Sequence, residues 1–278
     1  MTREDQRIGI RWTIGNVSPR GFEALRLSIW GAYQAFGPEA AYLVCVNTLT
    51  CDQARARTGP VPDRVEWQPA GATPDLLQGH LDPDMAEGVA WKFAPLRFFP
   101  NRYEIALDND CILWAVPDAV RRWLDAADAA ACLMAEDVKL ALGQFEDLCG
   151  PRPVNSGIRG LPPGFDLGAA IEAVLARRPV MLHSELDEQG LQAAALSRKK
   201  PLHIVSLDEV TICSPFWPHV PRLGRHGAHF VGLNARDLPW TYYDRPAVDC
   251  IAENWANHAT ELRRRVGCDA DLDRAPLP

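Results

Sequence analysis

Apolar and polar positions alternate over residues 7–13 (RIGIRWT), a period of two that predicts a β-strand. Ser18-Pro19 then supplies a helix N-cap and a first-turn proline. Phe22, Leu25, Ile29, Tyr33 and Phe36 recur on one helical face until Gly37-Pro38 stops the helix. Residues 41–46 (AYLVCV) read as a buried strand, so the first 46 residues form a βαβ pattern and imply a parallel sheet. Residues 58–84, rich in Pro, Gly and Asp, suit an irregular connection with one short strand at 65–67. A helix over 85–99 leads to an apolar strand, 103–107, that ends in Asp108-Asn109-Asp110. Further β-like segments fall at 129–135, 154–158, 203–207, 210–213 and 229–231, with helices between several of them. One helix follows Ser184, which stands three residues before Asp187 in a capping-box spacing. The last spans about 246–266, with Val248, Ile251, Trp255, Ala259, Leu262 and Val266 on one face and Gly267 at its end. No internal repeat or low-complexity tract interrupts this order, and a single α/β domain around one sheet is the expected architecture.

With 278 residues, 47 % hydrophobic and 23 % charged, the composition is that of a soluble globular chain rather than a disordered or fibrous one. A chain of this size buries roughly 70 to 75 % of its unfolded surface and needs no disulfide or metal staple. The net charge of −7 argues against non-specific nucleic-acid binding, so an anionic ligand would require a local basic pocket. The longest apolar runs, 40–46 and 129–135, fall short of the ~18 to 20 residues that span a bilayer. The charged N-terminal residues, with no apolar run, lead to the expectation of a chain without a secretory leader. Eight cysteines without a CxxC pair read as thiols in a reducing compartment. The expected location is the cytoplasm, with contact to a membrane surface left open.

Two aspartates at i and i+2 on an extended backbone project to the same side, so Asp108 and Asp110 can share one divalent cation. Asp82/Asp84, Asp269/Asp271 and Asp271/Asp273 repeat the spacing, but only Asp108-Asn109-Asp110 stands at the carboxyl end of an apolar strand, where open α/β sheets bind ligands. The bland alternative for this site is a solvated turn.

The stretch from Lys92-Phe93-Ala94-Pro95-Leu96-Arg97 to Asp108-Asn109-Asp110-Cys111-Ile112-Leu113 resembles the core of nucleotide-sugar glycosyltransferases of the GT-A fold, family 8 in particular. Asn155-Ser156-Gly157, Glu188-Gln189, His229-Phe230-Val231-Gly232 and Pro239-Trp240 follow in that family's order, so the resemblance covers most of residues 7–240. It implies a GT-A-like, Rossmann-like single domain with a central mixed, mostly parallel sheet flanked by helices. About residues 7–135 would be the nucleotide-sugar and metal half, 136–245 the acceptor half, and 246–278 a C-terminal helix and tail.

The same resemblance implies a metal-dependent hexosyltransferase acting with retention on a nucleoside-diphosphate sugar, UDP-sugar favoured. Asp108, Asp110 and His229 would be the metal ligands. An imidazole among oxygens suits Mn²⁺ better than Mg²⁺, the second choice. Lys92 would lie near the donor's phosphates or sugar. Asn155, Ser156 and Gly157, with Thr13, Asn109 and Gly232, would line the substrate site, while Glu188 and Gln189 would steady the cationic sugar. Trp12 either stacks on the base or fills the core. The acceptor stays open among glycan, lipid-linked sugar and small molecule.

Three departures from the family pattern stand out: Arg11-Trp12-Thr13-Ile14-Gly15-Asn16 lacks the usual Asp and Tyr, the segment after Gly232 is longer, with Arg236 near the place of a lysine, and the residues after Gly157 lack an apolar strand continuation. They keep a second reading in view, a sugar-nucleotide or glycan binder without turnover. A haloacid-dehalogenase-type phosphohydrolase also has a strand-plus-DxD motif, but near its N-terminus and with threonine where Ile112 stands here.

Overall fold

The computed structural model describes residues 8–82, 91–236 and 238–268. Its elements, in chain order, are β1 (Ile8–Ile14), α1 (Pro19–Phe36), β2 (Ala41–Val46), α2 (Cys51–Thr58), β3 (Val65–Pro69), β4 (Tyr103–Leu107), β5 (Cys111–Leu113), α3 (Asp118–Ala126), β6 (Leu133–Glu136), β7 (Val154–Leu161), α4 (Leu167–Leu175), α5 (Glu185–Ser197), β8 (His203–Val205), β9 (Val210–Ile212), β10 (Gly227–His229), β11 (Thr241–Tyr242), β12 (Arg245–Pro246) and α6 (Ala247–Arg265). Local chemistry sets the ends of α1: the Ser18 hydroxyl accepts from the Gly21 N–H, and Gly37 leaves the helix at φ +78°. At α5 the Ser184 hydroxyl accepts from the Asp187 N–H at 3.4 Å. The Asp187 carboxylate does not close the expected capping box but accepts from the His183 and Gln144 N–H groups, which ties the helix start to the 3₁₀ turn Gly143–Leu148.

A seven-stranded sheet runs in the order β3-β2-β1-β4-β7-β6-β8 and spans both of the halves expected from sequence. β3, β2, β1 and β4 are parallel, and β7 runs against both of its neighbours. A smaller sheet, β5-β10-β9, continues from the end of β4. Alternation along each strand divides the core between the faces of the large sheet. Leu133 and Ala135 join a cluster with Ile10, Trp12, Leu25 and Ile29, whereas Cys132 and Met134 join Leu142, Phe145, Ile171 and Leu191 on the other face. A third cluster packs Trp255 and Leu262 of α6 against Ile112, Ala228 and Phe230.

Two expectations fail. Residues 92–100 form turns and bends rather than the end of a helix, while 83–90 lie outside the described residues. The stretch after Gly157 does continue as strand: β7 runs to Leu161 with every residue buried, although Arg159 and Gly160 interrupt its apolar pattern. The eight cysteines form no disulfides, with Cys51 and Cys149 half-buried and the others buried. No described helix is long and apolar enough to cross a membrane.

The face of β1 opposite Trp12 carries a buried charge cluster. Arg11 Nε lies 3.0 Å from Glu104 Oε1, and Arg159 Nη2 lies 4.0 Å from the same oxygen, with the three side chains at most 2 % exposed. The second Glu104 oxygen accepts from the Phe98 and Phe99 N–H groups at 2.6 Å each. Removing one member of such a cluster strands the others without water. Glu104→Ala is therefore expected to lower stability by about 3 to 5 kcal/mol in urea denaturation, and a loss below 1 kcal/mol would show that the arginines find other partners.

Candidate active site

Strand direction assembles the site. β4 delivers Asp108 at its carboxyl end, and because β7 is antiparallel to β4 its first residues lie beside that end, so the Asp108 N–H donates to the Gly157 carbonyl oxygen at 3.0 Å. The turn closes with the Cys111 N–H on the Asp108 carbonyl at 3.0 Å. β5 then pairs antiparallel with β10, setting His229 opposite Cys111, and the Phe230 N–H donates to the Asp110 carbonyl at 2.9 Å. The β5–β10 register thus brings His229, far along the chain, to Asp108 and Asp110. His229 Nε2 lies 3.2 Å from Asp110 Oδ1 and 3.6 Å from Asp108 Oδ2.

These residues fit a divalent cation. One ligand atom from each of Asp108, Asp110 and His229 lies within 4.8 Å of the others, and the set of two carboxylates and an imidazole suits Mn²⁺ or Zn²⁺ better than Mg²⁺. Gly157 makes room for the imidazole, since a Cβ there would collide with the His229 ring. Burial alone would lower the His229 pKa, but the hydrogen bond and charge of Asp110 outweigh it and hold the ring protonated above its ordinary range. Metal binding at Nε2 would therefore release a proton. A second group, Asp118, Glu209 and His226, has similar spacing. Its carboxylates are already engaged: Glu209 accepts from the Ala119 and Ser206 N–H groups, and Asp118 faces Arg225 at 3.5 Å.

Lys92 Nζ stands 2.9 Å from Asp108 Oδ2, 2.9 Å from Ser156 Oγ and 3.6 Å from Glu188 Oε2. Burial would lower its pKa, but the Asp108 and Glu188 charges raise it and keep the ammonium. Glu188, 1 % exposed, is pushed up to about 7: desolvation outweighs the pull of Lys92, and Asp108 adds to the rise. Its other oxygen accepts from Gln192, whose carbonyl accepts from Arg159 Nη1 at 2.6 Å. Gln189 is committed at both ends, accepting from the Ser156 N–H at 3.0 Å and donating to the Ala141 carbonyl at 2.9 Å. Asn155 likewise accepts from the Gly157 N–H and donates to the Glu136 carbonyl, at the irregular start of β7 where its register against β6 shifts.

A cleft of about 520 Å³ is lined by Asp108, Asp110, His229, Lys92, Glu188 and Gln189, and also by Thr13, Asn109, Asn155, Ser156, Gly157 and Gly232. Trp12 is the exception. Neighbouring strand residues face opposite sides, so with Thr13 toward the cleft Trp12 is wholly buried, donating to Ser28 Oγ at 2.9 Å and stacked on Tyr42. Base stacking by Trp12 is therefore corrected to a core role, and the tryptophan on the cleft wall is Trp91, packed over Gly15. Asn109 also differs from its expected role, because its amide is exchanged with that of Asn234 at 2.7 and 2.9 Å and donates to the Gly21 carbonyl, locking the turn to α1. Arg236 turns to Asn16 and the Val17 carbonyl instead of the cleft. Arg11, Arg159 and Gln192, which the sequence reading passed over, line the cleft floor. A lone arginine inside each of two apolar strands was the signal that could have found the first two.

No family model matches the chain, and no curated protein matches it in sequence. Its fold is similar to solved structures of GT-A glycosyltransferases. Galactosyltransferase LgtC in complex with donor and acceptor sugar analogues matches with a TM-score of 0.54 at 11 % identity over 97 % of each chain. Mouse xyloside xylosyltransferase 1, apo form, gives 0.55 at 11 % identity over 82 % of this chain and 99 % of that one. The bifunctional glycosyltransferase WbbM, apo, gives 0.51 at 15 % identity over 93 % of this chain and 51 % of that one. At these identities the likeness establishes the GT-A fold.

Gly157→Ala is expected to displace the His229 ring and weaken Mn²⁺ binding at least ~10-fold, the scale on which misoriented ligands cost affinity, with an unchanged circular dichroism spectrum. Calorimetric titration measures it, and parent-like affinity would mean that His229 is not a ligand.

Proposed function

We propose that the chain is a glycosyltransferase that takes a sugar from a nucleoside-diphosphate sugar, UDP-sugar first, and passes it to an acceptor hydroxyl with retention of configuration, using Mn²⁺. The observation that carries this reading is the convergence of Asp108, Asp110 and His229 beside Lys92 at the carboxyl edge of the sheet, inside a cleft whose volume suits a small-molecule ligand. A divalent ion held there would neutralise charge on the departing diphosphate.

Each residue has a role that follows from its surroundings. The Lys92 ammonium supplies a fixed positive charge where diphosphate oxygens develop negative charge. Ser156, held by Gln189 and Lys92, presents polar atoms to the donor sugar. Glu188 beneath them, when ionised, favours positive charge at the anomeric carbon, and its raised pKa places that ionisation near neutrality. Trp91 offers a face for the nucleobase in place of Trp12. The resemblance of Asn155-Ser156-Gly157 and Glu188-Gln189 to a retaining family supports retention. The phosphohydrolase reading loses support because Ile112, where that family has threonine, is fully buried.

Incubation with UDP-glucose or UDP-galactose should release UDP only when Mn²⁺ is present, and Asp108→Asn or Asp110→Asn should cut that release at least ~100-fold, as expected for several kcal/mol of lost charge stabilisation. Thermal stabilisation by the donor without release would identify a binder that does not turn over. Turnover of simple phosphomonoesters with Mg²⁺ would reject the transferase.

A further inference from the structure

Most large apolar side chains are buried, but two aromatic rings are almost wholly in water: Trp217 is 83 % exposed and Tyr243 is 85 % exposed. They belong to one patch. Phe216 packs on Trp240 with centroids 4.6 Å apart and on Tyr242 at 5.1 Å, Tyr242 packs edge-on against Tyr243 at 4.6 Å, and the Trp217 N–H donates to the Tyr242 hydroxyl at 3.3 Å. Five aromatic residues from two separate segments thus form a continuous surface.

The way Tyr243 is presented adds a second observation. Tyr243 and Asp244 form the two-residue turn of the β11–β12 hairpin, with φ of +47° and +61°. Both central positions of this turn favour glycine, asparagine or aspartate, and a bulky aromatic side chain there carries a steric cost. Fold stability alone would favour glycine at position 243. A strained, exposed tyrosine is the arrangement found where a side chain is held out for a ligand.

The patch is continuous with the candidate active site. The Cys213 N–H donates to the carbonyl of His229, and six residues later His219 lines the cleft, its N–H donating to the Phe216 carbonyl at 3.0 Å. Trp217 is on that turn, two residues before His219, and is not itself among the residues that line the cleft. A ligand reaching from the cleft over His219 would meet Trp217 first and the hairpin next.

We infer that this rim is the extended acceptor subsite: the acceptor is an oligosaccharide whose reacting unit enters the cleft while the following sugar rings lie on Trp217 and Tyr243. This rests on the transferase reading above. Sugar rings suit the patch because their C–H faces can cover aromatic rings while their hydroxyl edges need polar partners. The exposed Asp244 beside Tyr243 supplies an acceptor for those hydroxyls. The same carboxylate disfavours an anionic bilayer, which would call for lysine or arginine at the apex.

The test uses the full chain and a printed panel of neutral di- to hexasaccharides, read with UDP and Mn²⁺ present. The parent should bind at least one oligosaccharide series more tightly as length increases. Trp217→Ala with Tyr243→Ala should weaken that binding at least 10-fold, while Mn²⁺-dependent UDP release and the melting temperature stay at parent values. Tyr243→Gly should raise the melting temperature and still weaken glycan binding, a pairing that a purely structural tyrosine would not give. Equal glycan binding by parent and double variant, or no binding by the parent to any panel member, would overturn the inference. So would binding of the parent, but not the double variant, to phosphatidylcholine–phosphatidylglycerol vesicles in place of glycans, which would mark a membrane surface. Absence of UDP release from the parent is a separate failure, that of the transferase reading itself.

Discussion

The 3.0 Å hydrogen bond from the Asp108 N–H to the Gly157 carbonyl marks the constraint on which the site depends. It joins the end of β4 to the beginning of β7, two strands that run in opposite directions. A parallel β7 would begin at the far edge of the sheet and carry Asn155, Ser156 and Gly157 away from the carboxylates. The reversal brings these first residues of β7 to the edge at which β4 delivers Asp108 and Asp110. The small sheet repeats the device, since β10 must run against β5 for His229 to stand opposite Cys111.

Electrostatics explain why this edge is more than a convenient corner. Asp108, Asp110 and Glu188 crowd together at this largely buried edge, and the Lys92 ammonium, with the His229 ring when it is protonated, faces them. Beneath them a chain of polar contacts runs from Glu188 through Gln192 to Arg159, Glu104 and Arg11, and Arg11 donates to the Lys92 carbonyl. The charged floor therefore positions the backbone of the residue whose ammonium faces the cleft. Such a network is costly to break at any single member, which gives it rigidity. That rigidity suits a site whose work, on the proposed reading, is to hold charge in place while a diphosphate departs.

Much of this was legible in the chain. The βαβ opening, the apolar strand into Asp108-Asn109-Asp110 and a strand beginning at residue 154 follow from apolar patterning, whereas Asn155-Ser156-Gly157, expected by resemblance as a turn, are the first residues of that strand. The misses have physical causes. Trp12 and Thr13 are adjacent in sequence, and only the register of β1 against its neighbours decides which faces the cleft. Asn109 reads as a free amide until folding brings Asn234, far along the chain, against it. Arg11 and Arg159 look like breaks in apolar strands because their partner, Glu104, comes from a third strand. The continuation of β7 through Arg159 and Gly160 was hidden for the same reason, since a buried charge erases the apolar signal that identifies a strand.

The account thus reduces to one cation position that two strand registers define. Crystals grown with Mn²⁺ and UDP, measured at the manganese absorption edge, test it most directly. A single anomalous peak within coordination distance of Asp108, Asp110 and His229 Nε2, with diphosphate oxygens completing the shell, is the expected result. A peak at Asp118, Glu209 and His226, or UDP seated in the cleft with no ion beside those three ligands, would contradict it.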